Sequence, residues 1–331
     1  MSDLVAVSGA TGFIGSAVVR LLLAAGRPVR ALVEPGANTD NLDGLDVEHI
    51  SVDVCDHEGM LQALSGCLVY YHLAAIYKVW LPDPSIIYRV NLEGTTASLL
   101  AAERAGVARV IYTSSIAAVG LREDGKPSDE SVPFNLYDIA NEYILTKYLS
   151  ERIAMRFAES GAPIVIVNPA FPFGERDLAP TPTGKIILQL LRGEVPGTTP
   201  GGFCAVDVQD VAAAHIAAET KGKVGERYIL GNHNINFADF ARLVSERAGL
   251  KTPKLHLPAS MGRAFAAGVE AWSRHVSHEE PRATLKSMQY LQRGAYFDGS
   301  KARTELGMPS TPLADSIDRA IAFFRSTGMA P

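Results

Sequence analysis

The first fifteen residues constrain the fold of this chain more than any other stretch. An apolar run, "LVAVSG" at 4–9, leads without a break into "SGATGFIG" and then into a helical pattern at 13–26. Gly9, Gly12 and Gly15 recur at three-residue spacing. Such glycines permit a tight turn and a close approach of backbone to a pyrophosphate, and the helix offers its N-terminal N–H groups. A simple turn is the competing interpretation, but this placement between strand and helix favours a dinucleotide-binding loop.

Short apolar runs continue to alternate with helical segments as far as residue 170. The predicted strands are 4–9, 28–33, 47–53, 67–75, 108–115 and 163–170, and the predicted helices include 13–26 and 85–106. Nearly continuous apolar strands separated by helices are typical of a parallel sheet that is covered on both faces. The sequence therefore predicts an α/β fold with a doubly wound parallel Rossmann sheet over residues 1–170.

The regular alternation weakens after residue 170. The stretch "FPFGERDLAPTPTG" is rich in proline and glycine, so 171–185 is interpreted as a long loop. The remainder mixes helices with a few strands. We therefore predict a smaller, discontinuous C-terminal substrate-binding lobe that consists of 171–202 and 232–331, with 203–231 returning to the sheet domain.

Composition narrows the class of protein. The net charge of −5 and the absence of a basic run argue against binding to nucleic acid. No uncharged apolar run reaches the ~18 residues of a membrane-spanning helix, and a first strand that begins by Leu4 leaves no room for a secretory leader. The three cysteines form no paired or metal-binding pattern. We expect a cytoplasmic protein with reduced cysteines and no bound metal.

A tyrosine and a lysine lie four residues apart in "NEYILTK", at Tyr143 and Lys147. The surrounding pattern predicts a helix that ends at Gly161 and Pro163, so the two side chains share one helical face. A neighbouring positive charge favours the phenolate form of a tyrosine and makes it a plausible acid or base near neutral pH. The same spacing also arises by chance in many helices, so the pair alone does not identify an enzyme.

Three motifs together resemble the extended short-chain dehydrogenase/reductase family, also described as the NAD-dependent epimerase/dehydratase family. They are "GATGFIG", "YTSSIAAVG" and "YILTK", in that order along the chain. Within this family, "DLAPTPTGKII", "LPDPSIIYRVNLEGT" and "ERYILGN" most resemble hopanoid-associated sugar epimerases and dihydroflavonol-reductase-like proteins.

This resemblance implies a role for each of four catalytic residues. Tyr143 would exchange a proton with the substrate oxygen, and Lys147 would hold the nicotinamide ribose and lower the pKa of the tyrosine. Ser115 would hydrogen-bond the substrate oxygen, with Ser114 as the close competitor for that role. Asn91 in "VNLEGT" would order the site and its water, although a polar residue on the helix surface is the alternative interpretation.

The glycine loop and the resemblance together imply a set of cofactor-binding residues. The set is Gly9, Thr11, Gly12, Phe13, Ile14, Gly15, Glu34, Asp53, Val54, Leu73, Ala74, Ala75, Thr113, Ser114, Tyr143, Lys147 and Pro169. Glu34 follows the second strand, where an acidic side chain binds a free ribose 2′-hydroxyl and repels a 2′-phosphate. We therefore expect NAD as the preferred cofactor, with NADP possible, because Glu34 could instead be a solvated charge one residue beyond the usual position at Val33.

The expected substrate side combines a catalytic serine with aromatic and polar residues. Its predicted members are Ser115, Tyr77, Phe171, Phe173 and Thr183. Two phenylalanines on the 171–185 loop suggest an apolar or ring-shaped substrate. In the C-terminal lobe, the apolar residues of "MGRAFAAGVEAWSRHV" lie along one helical face. The default interpretation is a core-facing helix, and a membrane-surface or substrate-lid role is the alternative.

The predicted function is hydride transfer between a nicotinamide and a secondary alcohol or ketone. A sugar epimerase that keeps its NAD bound would use the same residues, and Arg176 and Lys185 are available to bind a diphosphate. An NAD(P)-binding redox sensor without catalysis is the alternative outside enzymes. Such sensors often lose the tyrosine or the lysine, whereas this chain has both.

The helices that carry Asn91 and Tyr143 are apolar on more than one face. Leu99 and Leu100 lie in the first helix, and Ile144, Leu145 and Leu149 lie in the second. Related proteins pair through these two helices, and the surplus of apolar residues suits burial on two sides. We therefore predict a homodimer through this surface.

Overall fold

The computed structural model describes residues 3–331, and within that range seven parallel strands form the central sheet. In chain order these strands are β1 (Val5–Ser8), β2 (Val29–Val33), β3 (Glu48–Ser51), β4 (Val69–His72), β5 (Arg109–Thr113), β6 (Ile164–Pro169) and β10 (Arg227–Leu230). Their spatial order is β10-β6-β5-β4-β1-β2-β3. The predicted doubly wound parallel sheet is confirmed.

The strand order places a cleft at one edge of the sheet. β1 pairs with β2 on one side and with β4 on the other. The strands β2 and β3 therefore extend the sheet on one side of β1, and β4 and the later strands extend it on the other. The loops that follow β1 and β4 separate at this point. Ligands of open α/β sheets bind in this crevice, beyond the carboxyl ends of the strands.

Alternating side chains of the buried strands supply two separate cores. Val5 and Val7 of β1 point into one hydrophobic cluster, and Ala6 between them points into the other. Helices α1 (Phe13–Ala24) and α7 (Val208–Lys221) pack together on the first face. Helices α2 (His57–Leu64), α4 (Thr95–Arg104) and α5 (Glu142–Glu159) pack against one another on the second. Because helices cover both faces of the sheet, the side chains on both sides of each strand are apolar. The strands therefore appear in the sequence as continuous apolar runs.

The remaining helices and strands lie mostly after β6 in the chain. They are α3 (Ser85–Tyr88), β7 (Phe171–Phe173), α6 (Pro182–Leu191), β8 (Gly197–Thr198), β9 (Gly202–Asp207), β11 (His233–Asn236), α8 (Phe237–Ala248), β12 (Leu255–His256), α9 (Ala259–Trp272), α10 (Leu285–Gln292) and α11 (Leu313–Ser326). β9 joins a small sheet between β7 and β11, while β12 pairs with β8.

The prediction of a long loop over 171–185 is wrong at both ends. β7 begins this segment by pairing with β9, and Pro182 lies in the first turn of α6. Thr181 caps that helix by accepting a hydrogen bond from the Gly184 N–H. Proline in the first turn of a helix lacks only an N–H that would have no partner there. The irregular part is therefore limited to 174–181.

The prediction that α9 turns its large apolar residues to the core is also wrong. Gly262 and Ala266 are its buried residues, whereas Met261, Phe265 and Trp272 are more than half exposed. Helical periodicity identifies an apolar stripe but does not say which side of the helix meets the protein. Within residues 3–331, no helix is long and apolar enough to cross a membrane.

Candidate active site

The loop between β1 and α1 has the shape that a pyrophosphate site needs. Gly9 has φ of +68°, and a Cβ at this position would lie 2.8 Å from the Ala74 nitrogen. A Cβ on Gly15 would lie 2.0 Å from the Gly9 carbonyl oxygen, so a side chain at either position would displace backbone. Gly12 caps α1 without any side chain, which leaves the first N–H groups of the helix available to an anion. These residues fit the pyrophosphate of a dinucleotide.

The other expected cofactor residues lie at the same edge of the sheet. Glu34 follows β2 with its side chain exposed, and the 73–75 segment follows β4. Asp53, beyond β3, holds the Cys55 N–H at 2.9 Å and forms an ion pair with Arg89 at 2.5 Å. Pro169 ends β6 at this edge. The residues Thr11, Phe13, Ile14, Val54, Leu73, Ala75, Thr113 and Ser114 belong to the same loops and strand ends.

Lys147 is a buried cation. Its side chain leaves α5 toward the end of β5, where Nζ donates a hydrogen bond to the Thr113 carbonyl at 3.1 Å. The residue is 5% exposed. Burial lowers the pKa of Lys147 to about 8, and the Glu151 carboxylate, one helical turn further on, opposes that effect. The Lys147 ammonium is thus held at the carboxyl end of β5, where it can bind oxygens of a ligand in the cleft.

A buried histidine fixes the strand end that receives this cation. His215 Nδ1 contacts the Val211 carbonyl at 2.8 Å, so Nδ1 carries the proton. The Nε2 atom therefore accepts a hydrogen bond from the Thr113 hydroxyl at 3.0 Å. Burial lowers the pKa of His215 to about 4, which keeps the ring neutral at physiological pH. This contact orients the same residue whose carbonyl holds Lys147.

Ser115, rather than Ser114, reaches Tyr143. Ser115 Oγ accepts the Ala117 N–H at 3.1 Å, and its hydrogen bond to the Tyr143 phenol lowers the pKa of that tyrosine. Burial is the larger effect, however, and it raises the pKa of Tyr143. Ser114 Oγ is buried and has no partner within the described part of the chain. An orphaned hydroxyl at the end of β5 is free to meet a cofactor.

Asn91 lies in a π-helical turn and connects two segments of the site by hydrogen bonds. The turn covers Arg89–Gly94 and joins α3 to α4. Asn91 accepts the Ile76 N–H at 2.8 Å, and its amide donates to the Ile76 carbonyl and the Thr146 hydroxyl at 3.0 Å each. The side chain is 2% exposed, so the alternative of a polar residue on the helix surface is wrong. Asn91 connects the loop after β4 to the helix that carries Tyr143.

A buried polar chain links the serine loop to the edge strand β10. Arg227 Nη1 lies 2.8 Å from one Glu151 oxygen, and the Asn168 amide donates to the other at 2.5 Å. The Asn168 amide also donates to the Ser115 carbonyl at 2.9 Å. Asn168 and Arg227 were not expected from the sequence. Asn168 lies in "VNPA" and Arg227 lies in "ERYILGN". Only the pairing of β10 with β6 brings these two residues together.

Tyr290 of α10 is another residue that the sequence analysis missed. Its hydroxyl is buried and has no partner among residues 3–331, and its pKa is raised by burial and secondly by Tyr143. Lys286 and Arg293, on the same face of α10, bind Asp138 just before the helix of Tyr143. The influence of Tyr143 on this pKa and the two contacts with Asp138 place Tyr290 near Tyr143.

The expected substrate residues divide into two groups. Tyr77 is 40% exposed, and its hydroxyl contacts the Ala179 carbonyl at 3.4 Å, which joins the loop after β4 to the 174–181 segment. Phe171 is partly buried against Phe203. Phe173 is 1% exposed and packs within the aromatic core, and Thr183 donates to the Pro172 carbonyl at 2.9 Å. Phe173 and Thr183 therefore stabilise the 171–183 segment from within the protein.

The two cations that could hold a diphosphate are directed elsewhere. Lys185 Nζ forms an ion pair with Glu280 at 2.7 Å. Arg176, whose φ is +70°, turns its guanidinium toward the Asp40 carbonyl at 3.5 Å. Burial and secondly the nearby charge of Arg176 lower the pKa of Arg20. Neither side chain converges with the other on the Tyr143 cleft.

Comparison with known proteins agrees with this geometry. The family model described as NAD dependent epimerase/dehydratase family matches residues 5–231. A Synechocystis protein that carries the provisional name dihydroflavonol 4-reductase is 37% identical, covering 99% of this chain and 96% of its own. Sterol demethylase protein B of Methylococcus capsulatus is 34% identical, covering 98% of both. The crystal structure of a nucleoside-diphosphate-sugar epimerase from Pseudomonas aeruginosa, PA4631, has a TM-score of 0.82 at 28% identity and covers 99% of both chains.

The family model spans the glycine loop, Ser115, Tyr143 and Lys147 together with all seven strands of the central sheet. The resemblance drawn from three short motifs is thereby confirmed over more than half of the chain. Relatives that match nearly end to end extend it through the C-terminal lobe. This chain belongs to the NAD-dependent epimerase/dehydratase family, the extended short-chain dehydrogenases/reductases, and is an NAD(P)-dependent enzyme.

Proposed function

We propose that this enzyme transfers a hydride between NAD(P) and a secondary alcohol or ketone on an apolar, ring-shaped substrate. The observation that carries the proposal is the convergence of Ser115, Tyr143 and the buried Lys147 at the carboxyl end of β5. The nicotinamide supplies or accepts the hydride when bound. The three unpaired cysteines suit a reducing compartment, so we place the reaction in the cytoplasm.

Each side chain has a separate task at the reacting oxygen. Ser115 donates a hydrogen bond to that oxygen, and the Tyr143 phenol gives it a proton during reduction or takes one during oxidation. Lys147 binds the ribose hydroxyls and favours the phenolate by its charge. Asn91 keeps the loop after β4 and the tyrosine helix at a fixed separation. The buried hydroxyl of Tyr290 is positioned to bind a further polar group of the substrate.

Lys185 and Arg176 already contact other groups of the protein, and this favours an apolar substrate over a nucleotide sugar. A diphosphate would have to compete with Glu280 for Lys185 and would find no second convergent cation in Arg176. Two relatives are named for reactions on flavonoid and sterol rings, which is consistent with a ring-shaped substrate. A sugar epimerase is the second candidate because the PA4631 structure is named as one. Formation of UDP-galactose from UDP-glucose without net NADH consumption would favour that candidate.

The first prediction concerns Tyr143. Tyr143→Phe removes only the hydroxyl, so turnover of a 3-oxosteroid or a cyclic ketone with NADH should fall by ~10² or more while NADH binding changes little. NADH absorbance measures turnover, and the quenching of protein fluorescence measures binding. Tyr137→Phe makes the same deletion on a ring that is 63% exposed and should leave turnover unchanged. Near-normal turnover by Tyr143→Phe would remove the tyrosine from the mechanism.

The second prediction concerns the choice of cofactor. We propose that Glu34, exposed after β2, accepts hydrogen bonds from the adenosine ribose and repels a 2′-phosphate. Wild-type protein should bind NADH more tightly than NADPH, and Glu34→Arg should lose much of that preference. Fluorescence titrations with both cofactors measure the ratio, and Glu123→Arg provides the same charge change on a distant exposed loop. Tenfold tighter NADPH binding by wild type, about 1.4 kcal/mol, would refute this role.

The third prediction concerns assembly. Leu99 and Ile144 are buried within the monomer, but Leu100 is 40% exposed and Leu145 and Leu149 are only partly buried. We propose that this outward surface of α4 and α5 pairs with a second copy. Light scattering at micromolar concentration should report a dimer for wild type and a monomer for Leu100→Glu. Val224→Glu, at a site that is 47% exposed, should remain dimeric; a monomeric wild type would contradict the proposal.

A further inference from the structure

Helix α9 turns small residues inward and large apolar residues outward. Gly262 and Ala266 are buried in the α9 surface that packs against α10. On the adjacent side, Met261, Phe265, Trp272 and Val276 are 55%, 60%, 62% and 52% exposed. These four residues, at spacings of four, seven and four, form one stripe that we call the α9 face. Because α9 packs through glycine and alanine, its large apolar side chains remain exposed and can contact a partner outside this chain.

The exposed apolar side chains of this region are concentrated rather than scattered. Among residues 3–331, six of the eleven exposed large hydrophobic residues lie between positions 250 and 276. They comprise the α9 face together with Leu250 and Leu255. Scattered apolar residues are normal on a protein surface, but a contiguous patch marks an interaction site. The concentration therefore indicates a partner that is itself apolar.

The charged residues around α9 indicate the kind of partner that binds the α9 face. The segment 251–282 contains five lysines and arginines against three glutamates, a net charge of +2 within a chain whose net charge is −5. Lys251, Lys254 and Arg274 are exposed, as are the histidines at 256, 275 and 278. α9 itself carries one arginine and one glutamate, but cations in the segments before and after it flank an apolar side with Trp, Phe and Met. This combination fits an interfacial helix on an anionic lipid surface. A soluble acidic protein would complement the charges but would leave the broad apolar stripe uncovered.

The α9 face lies beside the entrance to the active site. The chain leaves α9 through a π-helical turn at Ser273–Ser277 and reaches Glu280, which binds Lys185 of α6. The charge of Glu280 also contributes to the raised pKa of Tyr77, after the larger effects of burial and Asp177. Tyr77 follows Ile76, which Asn91 connects to Thr146 on the helix of Tyr143. A surface bound by α9 would therefore be next to the opening through which a substrate enters.

We propose that the α9 face docks this enzyme on the surface of an anionic lipid bilayer. Phe265 and Trp272 insert at the boundary between headgroups and acyl chains, and the surrounding lysines and arginines bind the lipid phosphates. The helix lies in the plane of the surface and does not span it. Docking brings the active-site mouth to the place where an apolar substrate is dissolved. The lipid binding itself does not depend on which reaction the enzyme catalyses.

The fourth prediction tests this docking with the protein's own fluorescence. The chain has two tryptophans, Trp80 and Trp272, so Trp80→Phe leaves Trp272 as the sole reporter. Vesicles of phosphatidylcholine and phosphatidylglycerol should shift the Trp272 emission to shorter wavelength and carry the protein to the top of a flotation gradient. Vesicles of phosphatidylcholine alone, or high salt, should bind it at least several-fold less because the lipid charge is absent or screened.

Phe265→Glu, made in the same background, should lower the vesicle-bound fraction by about tenfold or more because it places a carboxylate in the apolar stripe. Phe265 is 60% exposed, so the fold should tolerate the change, and circular dichroism checks this. Val224→Glu adds the same charge at a site that is 47% exposed elsewhere and should bind vesicles as before.

Two results would overturn the proposal. One is the absence of both flotation and the emission shift with anionic vesicles. The other is an emission that is already shifted without lipid and returns to longer wavelength in Phe265→Glu, together with a loss of mass in light scattering. That second result would show that another copy of this chain covers the α9 face. Leu100→Glu, which alters the separate α4 and α5 surface, distinguishes the two interfaces.

Discussion

The buried ammonium of Lys147 is the constraint on which the organisation of the site depends. A cation that is 5% exposed needs compensation, and it receives the Thr113 carbonyl at 3.1 Å and the nearby Glu151 carboxylate. Glu151 is itself buried and is held by Arg227 of β10 and Asn168 of β6. Three strands and the tyrosine helix must therefore assemble before the charge is satisfied. The same chain of contacts ends at the Ser115 carbonyl, so the geometry of the candidate site and the fold depend on one polar network.

Local patterns predict a cofactor side whose residues the structure brings to one edge of the sheet. The β1 loop, the serines after β5 and the Tyr143 helix are each defined by a few consecutive residues, and parallel strands bring their carboxyl ends to one edge. Arg227 and Tyr290 could not be predicted in this way because their partners are distant in sequence. Their roles follow from the pairing of β10 with β6 and from the packing of α10 near Asp138. Periodicity likewise predicted the apolar stripe of α9 but not its outward direction.

The electrostatics of Tyr143 differ from the simplest expectation. A lysine four residues away should lower the pKa of the phenol, yet burial is the larger effect in the protein alone and raises it. Burial also lowers the pKa of Lys147 to about 8, which weakens its influence in alkaline solution. The positive charge of an oxidised nicotinamide would act on the phenol in the same direction as the lysine. We therefore propose that the Tyr143 base forms when the cofactor is present.

The central claim is that Tyr143 becomes an accessible acid or base only in the cofactor complex. The most direct test is an ultraviolet titration of phenolate absorbance, in which the curve of Tyr143→Phe is subtracted from that of wild type, without and with saturating NAD⁺. The account predicts that the Tyr143 phenolate forms above its ordinary pKa of about 10 in the protein alone. It should form well below that value in the complex. Identical titrations in the two states, or a phenolate near neutral pH without cofactor, would contradict the account.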